Sequence, residues 1–303
     1  MGTEAYDIKM AWIDGHGTRF PLSDAPDVEV FFDVASLMMP PFTYETVENN
    51  TPGSDCTPKQ DLRTVQRLVV EEREIPLKLR FRANNPADLH RTVRKYVQAF
   101  SPLKGEGILE VTAPDGVVRK IPAIYDSGFE AAINTKNTSP IGLFQDFPVT
   151  LVAHDPYFQA DSTTSITLER GEPVPFFPIL PLVLARFDTF GEVTVDNDGD
   201  VEAWPTWILT GPFDAVRLDN LTTDTAIQID HPISAGDRLI INTTPGQWSI
   251  TRESDGENLY PYLTPESRIF PLALGLNRIR VEATNFGEET AIQLTFTKRY
   301  LSI

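Results

Sequence analysis

Cysteine is nearly absent: among 303 residues only Cys56 carries a thiol. A lone cysteine closes no bridge within the chain, so no disulfide framework underlies the fold. The four histidines, His16, His90, His154 and His231, form no His-x-x-x-His or Cys–His spacing, and a metal site of that kind is not expected. No apolar run approaches the roughly 20 residues that cross a bilayer as a helix, and no charged-then-apolar leader opens the sequence. The expectation is a chain kept soluble in the cytoplasm where it is made, with no membrane insertion. Basic residues are the third shortage: 26 Lys and Arg stand against 43 Asp and Glu, a net charge of −17. Residues 1–159 hold 22 acidic and 16 basic residues, and residues 160–303 hold 21 and 10, so the second half is the more acidic. Duplex DNA carries a phosphate charge every ~1.7 Å and is held by clustered Lys and Arg, so this balance argues against specific nucleic-acid binding and suits a surface that repels DNA. No catalytic or cofactor motif occurs on either half, and neither an enzyme nor a cofactor is expected.

What is present is globular. Hydrophobic residues make up 41% of the chain and aromatics 10%, enough for two domains with cores of their own. A strand pattern from Phe147 to Val152 is stopped by Asp155-Pro156, because proline has no N–H to give a ladder. This sets domains at 1–158 and 159–303, with the last residues returning toward the first. In the first, Ile8 to Ile13 and Val28 to Phe32 read as strands joined by the turn Asp14-Gly15-His16-Gly17. Thr43 to Gln60, rich in Asn, Pro and Gly, shows neither period and reads as a long loop. Leu77, Leu79 and Phe81 alternate with Lys78, Arg80 and Arg82, which predicts a strand with one buried and one solvated, basic face. One helix is expected: Asn85 caps it, Pro86 suits its first position, and Leu89, Val93, Tyr96, Val97 and Phe100 form its apolar stripe over a sheet. Arg91, Arg94 and Lys95 fall on its solvated side. A hairpin then turns at Pro114-Asp115-Gly116.

The second half carries an apolar, Pro-rich stretch from Pro173 to Leu184 and then short strands about every 10 residues, the spacing of a β-sandwich. Ile227 and Ile229, Leu239 and Ile241, Ile279 and Val281, and Ile292, Leu294 and Phe296 are its inward faces. Gly191, Gly199, Gly211, Gly236, Gly246, Gly256 and Gly275 are read as turns between strands. Asp196-Asn197-Asp198-Gly199-Asp200 starts like a calcium loop but lacks the distal Glu, so Asp196, Asp198 and Asp200 are weak metal candidates beside the simpler reading of an Asx-rich turn. Trp204, Trp207 and Trp248, with Tyr260 and Tyr262, are candidates for a sugar-stacking platform, the alternative being core or rim roles. Acidic abundance alone identifies no glycosidase dyad, because such dyads have no sequence spacing.

The order of these elements resembles the siphophage distal tail protein family over nearly the whole chain. The resemblance rests on Arg73-Glu74-Ile75-Pro76-Leu77 leading into the alternating strand, the helix from Pro86, the hairpin from Gly107-Ile108-Leu109 to Ile121-Pro122, and Asp155-Pro156-Tyr157-Phe158. In the second half it rests on Asn197-x-Gly199 before Pro205, Ile208 to Gly211-Pro212, Asn220 before Thr222-Thr223, Ala235-Gly236-Asp237 before Leu239, and Leu274-Gly275-Leu276-Asn277. The chain departs from the family in an extended Thr43–Gln60 segment and a longer apolar Pro173–Leu184 segment. The resemblance implies a mainly β protein: a ring-forming N-terminal domain with one covering helix, then a galectin-like or carbohydrate-module-like β-sandwich. It implies a structural, non-enzymatic virion protein at the distal end of the tail, a homo-oligomer of usually six subunits. Its partners would be the tail tube, tape-measure and tail-tip hub proteins, with DNA passing through the ring. A carbohydrate-binding module for host-surface glycans is the alternative role.

Overall fold

The computed structural model describes residues 7–50, 61–130, 143–168 and 188–303. Two compact units emerge, one of residues up to Asp161 together with Leu301–Ile303, the other Ser162–Tyr300.

The first unit contains β1 (Lys9–Ile13), β2 (Arg19–Pro21), β3 (Val28–Phe32), β4 (Phe42–Asn50), β5 (Asp61–Val70), β6 (Arg73–Arg82), α1 (Pro86–Ala99), β7 (Gly107–Thr112), β8 (Val118–Ser127), β9 (Phe144–Ala153) and β10 (Phe158–Ala160). Its main sheet is antiparallel in the order β2-β1-β7-β8-β9-β6-β3, with β10 pairing the first part of β8. The period-two reading of β6 holds: Ile75, Leu77, Leu79 and Phe81 are buried while Glu74, Pro76, Lys78 and Arg82 point outward. The Asp14–Gly17 turn closes the β1–β2 hairpin rather than leading to β3, which pairs with β6 at the sheet edge.

Helix α1 begins as expected, the Asn85 side chain accepting from Asp88 N at 2.9 Å. Leu89, Tyr96 and Ala99 are buried, Val93 is half-buried, and Val97 is exposed. Val97 therefore leaves the predicted stripe, since it lies one position past Tyr96 and is turned 100° away from it. Tyr96 explains the docking of the helix. Its ring meets Phe81 at 5.2 Å and Phe20 at 5.8 Å, and its hydroxyl donates to Pro21 O at 2.7 Å. Burial pushes the Tyr96 phenol up to about 12, so it stays a donor. Beside it, Trp12 stacks on Phe100 at 4.8 Å and donates from Nε1 to Ala99 O at 2.9 Å. The indole lies on Gly107, where a Cβ would come 2.2 Å from Trp12 Cζ2, so the close approach requires glycine there.

Strands β4 and β5 form a separate ribbon, running in register from Phe42↔Val70 to Asn50↔Asp61 and pairing with no other strand among the described residues. This corrects the reading of Thr43–Gln60 as a loop: residues 43–50 are strand, and 51–60 lie outside the described residues. The register shifts at Glu45/Thr46, where Gln66 of β5 is the extra residue.

The second unit holds β11 (Thr164–Leu168), β12 (Asp188–Asn197), β13 (Thr206–Thr210), β14 (Ala215–Asn220), β15 (Thr225–Ile229), β16 (Arg238–Asn242), β17 (Ser249–Arg252), β18 (Gly275–Thr284), β19 (Ala291–Phe296) and β20 (Arg299–Tyr300). Sheets β11-β19-β13-β16-β17 and β12-β18-β14-β15 enclose one apolar core that includes Trp207, Leu218, Ile227, Ile241, Ile279 and Leu294. Gly191 is not a turn: it sits inside β12 at a bulge opposite Val281. Pro173–Leu184 lies outside the described residues.

Three fully buried asparagines tie the loops of this unit together. Asn277 Nδ2 donates to Ala273 O at 2.8 Å and Gly275 O at 2.9 Å, while its Oδ1 accepts from Ala273 N at 2.9 Å and Asn220 Nδ2 at 3.2 Å. Asn220 Oδ1 accepts from Thr222 N at 3.1 Å, and Asn197 Nδ2 donates to Val201 O at 3.1 Å and Leu272 O at 3.2 Å. An amide supplies donors and acceptors at one point, which a backbone turning away from a sheet needs once water is excluded. Asn197, Asn220 and Asn277 are among the residues on which the family resemblance rests.

Candidate interaction surfaces

The outward face of β6 is not a bare basic stripe. Arg80 forms a two-pronged pair with Asp146 of β9, Nε to Oδ1 at 2.7 Å and Nη2 to Oδ2 at 2.8 Å, and Lys78 Nζ reaches the same carboxylate at 2.8 Å. Arg82 pairs with Glu29 of β3 at 2.9 Å. The neighbouring strands thus offset the charge that β6 alone displays. The Arg80 guanidinium also lies 5.2 Å from the ring centres of both Phe31 and Phe144. Asp146 is only 5% exposed, and hydrogen bonding from Arg80, then Lys78, holds its carboxyl below the usual range against the opposing effect of burial. Phe31, on the sheet-edge strand β3, stays 39% exposed beside this cluster.

At the other end of β6, Arg73 is fully buried, its guanidinium 4.9 Å from the Phe158 ring centre. It donates to Ser36 O at 3.2 Å and Leu301 O at 2.7 Å, both backbone carbonyls, and Arg119 donates to Ser302 O. Burial lowers the Arg73 pKa to about 10, which leaves it charged at neutral pH. These two arginines hold Leu301 and Ser302 in the first unit. Nothing in a local pattern marks Arg73 for this role, because its partners lie 37 and 228 positions away.

The weak metal candidates do not converge. Asp198 pairs with Lys298 at 2.5 Å, a bond that holds its carboxyl below the usual range, while Asn197 Oδ1 accepts from Gly199 N as an Asx turn does. Among the described residues no group of three His, Cys, Asp or Glu side chains is placed to hold a metal. The aromatic trio is likewise divided. Trp207 is 0% exposed and packs against Phe270 at 6.5 Å in the sandwich core, so it cannot face a sugar; its strand position puts it on the inward side with Leu209. Trp204 is half-buried, and Trp248 is 49% exposed with its ring 5.1 Å from that of Tyr260. A shallow depression in the first unit, lined by Asp27, Arg82, Asn84, Asp88 and Phe144, gathers no nucleophile–base pair.

The backbone arrangement has solved counterparts. It is similar to the crystal structure of SPP1 Dit (gp 19.1), described as a paradigm of the hub adsorption apparatus in phages infecting Gram-positive bacteria, with TM-score 0.62 and 12% identity over 97% of this chain and 99% of that one. It is also similar to a chain of the phage P2 baseplate in its activated, calcium-bound conformation, with TM-score 0.51 and 11% identity over 98% and 99%. At such identities the likeness is one of fold. No curated protein matches. Residues 198–300 match the family described as siphovirus-type tail component, C-terminal domain. Over that stretch the chain is similar to a siphovirus-type tail component. The mainly β fold is thereby borne out, and the resemblance to distal tail proteins has the family match over residues 198–300 behind it.

Proposed function

We propose that the chain is a ring-forming subunit of the tail tip, usually six to a ring, that joins the tail tube to the hub and host-recognition proteins and leaves a channel for DNA. One observation carries the ring: the β4–β5 ribbon, nine residues on one strand and ten on the other, pairs with no other strand among the described residues. A two-stranded ribbon about 30 Å long is marginal by itself in water and gains stability only by packing on something. A neighbouring copy supplies that surface, and a repeated one-way contact of arm onto neighbour is a heterologous interface, which closes into a ring when its rotation allows. The edge strand β3, with Phe31 exposed and one side unpaired by any described strand, is a natural acceptor. An acidic subunit suits a channel through which DNA slides, since a cationic lining would release counterions at each phosphate and hold the genome. Glu45, Glu48 and Asp55, carboxylates of the arm region, have side chains outside those described.

The test is the mass of the full chain in solution, with and without the ribbon, replacing residues 44–69 by a short turn. The reading expects a closed oligomer for the intact chain and monomers of preserved β content for the shortened one. Monomers for both at high concentration, or an oligomer that ignores the ribbon, would overturn it.

A further inference from the structure

On the second unit, the segment after β17 closes the edges of both sheets. Asn258 bridges Thr251 of β17, Leu259 N donates to Ile250 O at 2.8 Å, and Asp230 N, just past β15, donates to Tyr262 O at 3.1 Å. Covering two sheet edges with one strap removes open backbone groups that would otherwise pair with other chains. The strap also fixes three aromatic side chains at the surface. Leu259 is fully buried as its anchor, Tyr260 N donates to Asn258 Oδ1 at 3.0 Å, and Tyr260–Tyr262 form a 3-10 turn. Trp248, at the entry to β17, meets Tyr260 with ring centres 5.1 Å apart and planes at 41°, and Tyr262 packs on His231 at 4.2 Å. Trp248 is 49% and Tyr260 44% exposed, so large ring faces remain in water although the backbone beneath them is held.

We infer that Trp248 and Tyr260, flanked by Tyr262, form a binding platform for the pyranose rings of a neutral polysaccharide. Two rings inclined at 41° make a shallow open V that receives the convex C–H face of a hexose, while the indole N–H and phenol O–H at the rim meet its hydroxyls. Charge supports a neutral ligand. Arg252, the cation on β17, is already paired with Asp255 at 2.8 Å and with Glu257, and residues 160–303 carry 21 acidic against 10 basic residues, which disfavours an anionic polymer. Among the described residues the patch also lacks the aliphatic companions of a protein hot spot: the exposed leucines of this unit, Leu221, Leu274 and Leu276, lie at β14 and β18 in the opposite sheet. Trp207, buried in the core, has no part in it.

The experiment titrates the full chain with cellohexaose, maltohexaose and β-1,4-galactohexaose, read by calorimetry and tryptophan fluorescence, beside Trp248→Ala, Tyr260→Ala and, as a control away from the platform, Trp204→Phe. At least one neutral hexasaccharide should bind with Kd on the order of 1 mM, weaken about tenfold in each platform variant, and be indifferent to salt. Trp248→Phe should recover part of the loss. Absence of binding by all three sugars at about 10 mM would overturn the inference. So would undiminished binding by a folded Trp248→Ala, binding only of polyglycerol phosphate with strong salt dependence, or a platform whose sole measurable effect is self-association of the chain.

Discussion

Arg80→Ala separates a structural arginine from a solvated one. The alternating sequence makes Arg80 an outward charge of little consequence, yet its guanidinium meets Asp146 with both prongs at 2.7 and 2.8 Å, and Asp146 is 5% exposed. Exposed ion pairs contribute about 0.2–1 kcal/mol, and breaking a fully buried one costs about 3–5 kcal/mol. This pair lies between those limits, because the Arg80 side chain keeps 26% of its exposure and Lys78 remains 2.8 Å from the carboxylate after Arg80 is gone. Loss of two prongs and of the contacts with Phe31 and Phe144 places Arg80→Ala near 2 kcal/mol, with a coupling of about 1–2 kcal/mol between Arg80 and Asp146. The assay is a double-mutant cycle of Arg80→Ala and Asp146→Ala by urea unfolding, read on the transition of the first unit because two units need not unfold together. A coupling below about 0.5 kcal/mol would refute the reasoning and return Arg80 to the solvated class.

Leu79→Ala, at a fully buried position opposite Val30 and Phe147, should cost about 2–5 kcal/mol, measured by the same urea transition. Gly107→Ala should cost about 1–3 kcal/mol and disturb the near-ultraviolet dichroism of Trp12, since its Cβ falls 2.2 Å from the indole. The Asp146 carboxyl has a folded pKa depressed below its unfolded value near 3.9, so its stabilisation is complete above that pH and is lost as pH falls through the folded value. Wild type should therefore lose stability below about pH 4 more steeply than Asp146→Asn, as acid titration of the unfolding midpoint would show.

The sequence reveals what is local and hides what is distant. The β6 alternation and the Asn85 cap are set by residues within a few positions, so both are legible. Wherever a partner comes from afar, the local pattern misleads: Asp146 arrives 66 positions after Arg80, and Leu301 lies 228 positions from Arg73. The ribbon is not legible because residues 43–50 are mostly polar and their partner strand β5 begins only after a further polar stretch. Trp207 and Trp248 look alike in composition, but strand position puts one in the core and the other at a strap that only the fold assembles. Asn197, Asn220 and Asn277 stood out by resemblance alone, and their physical reason, amides that close backbone turns in a dry interior, needs the structure.

The most direct test of the tail-tip account is a reconstruction of the tail end of virions that carry this chain, without imposed symmetry. The account predicts copies of the chain closed into a ring around the tail axis between tube and hub, with each β4–β5 ribbon lying on the neighbouring copy and an open central channel. Copies that are absent from the tail end, or present there without ribbon contacts between neighbours, would contradict it.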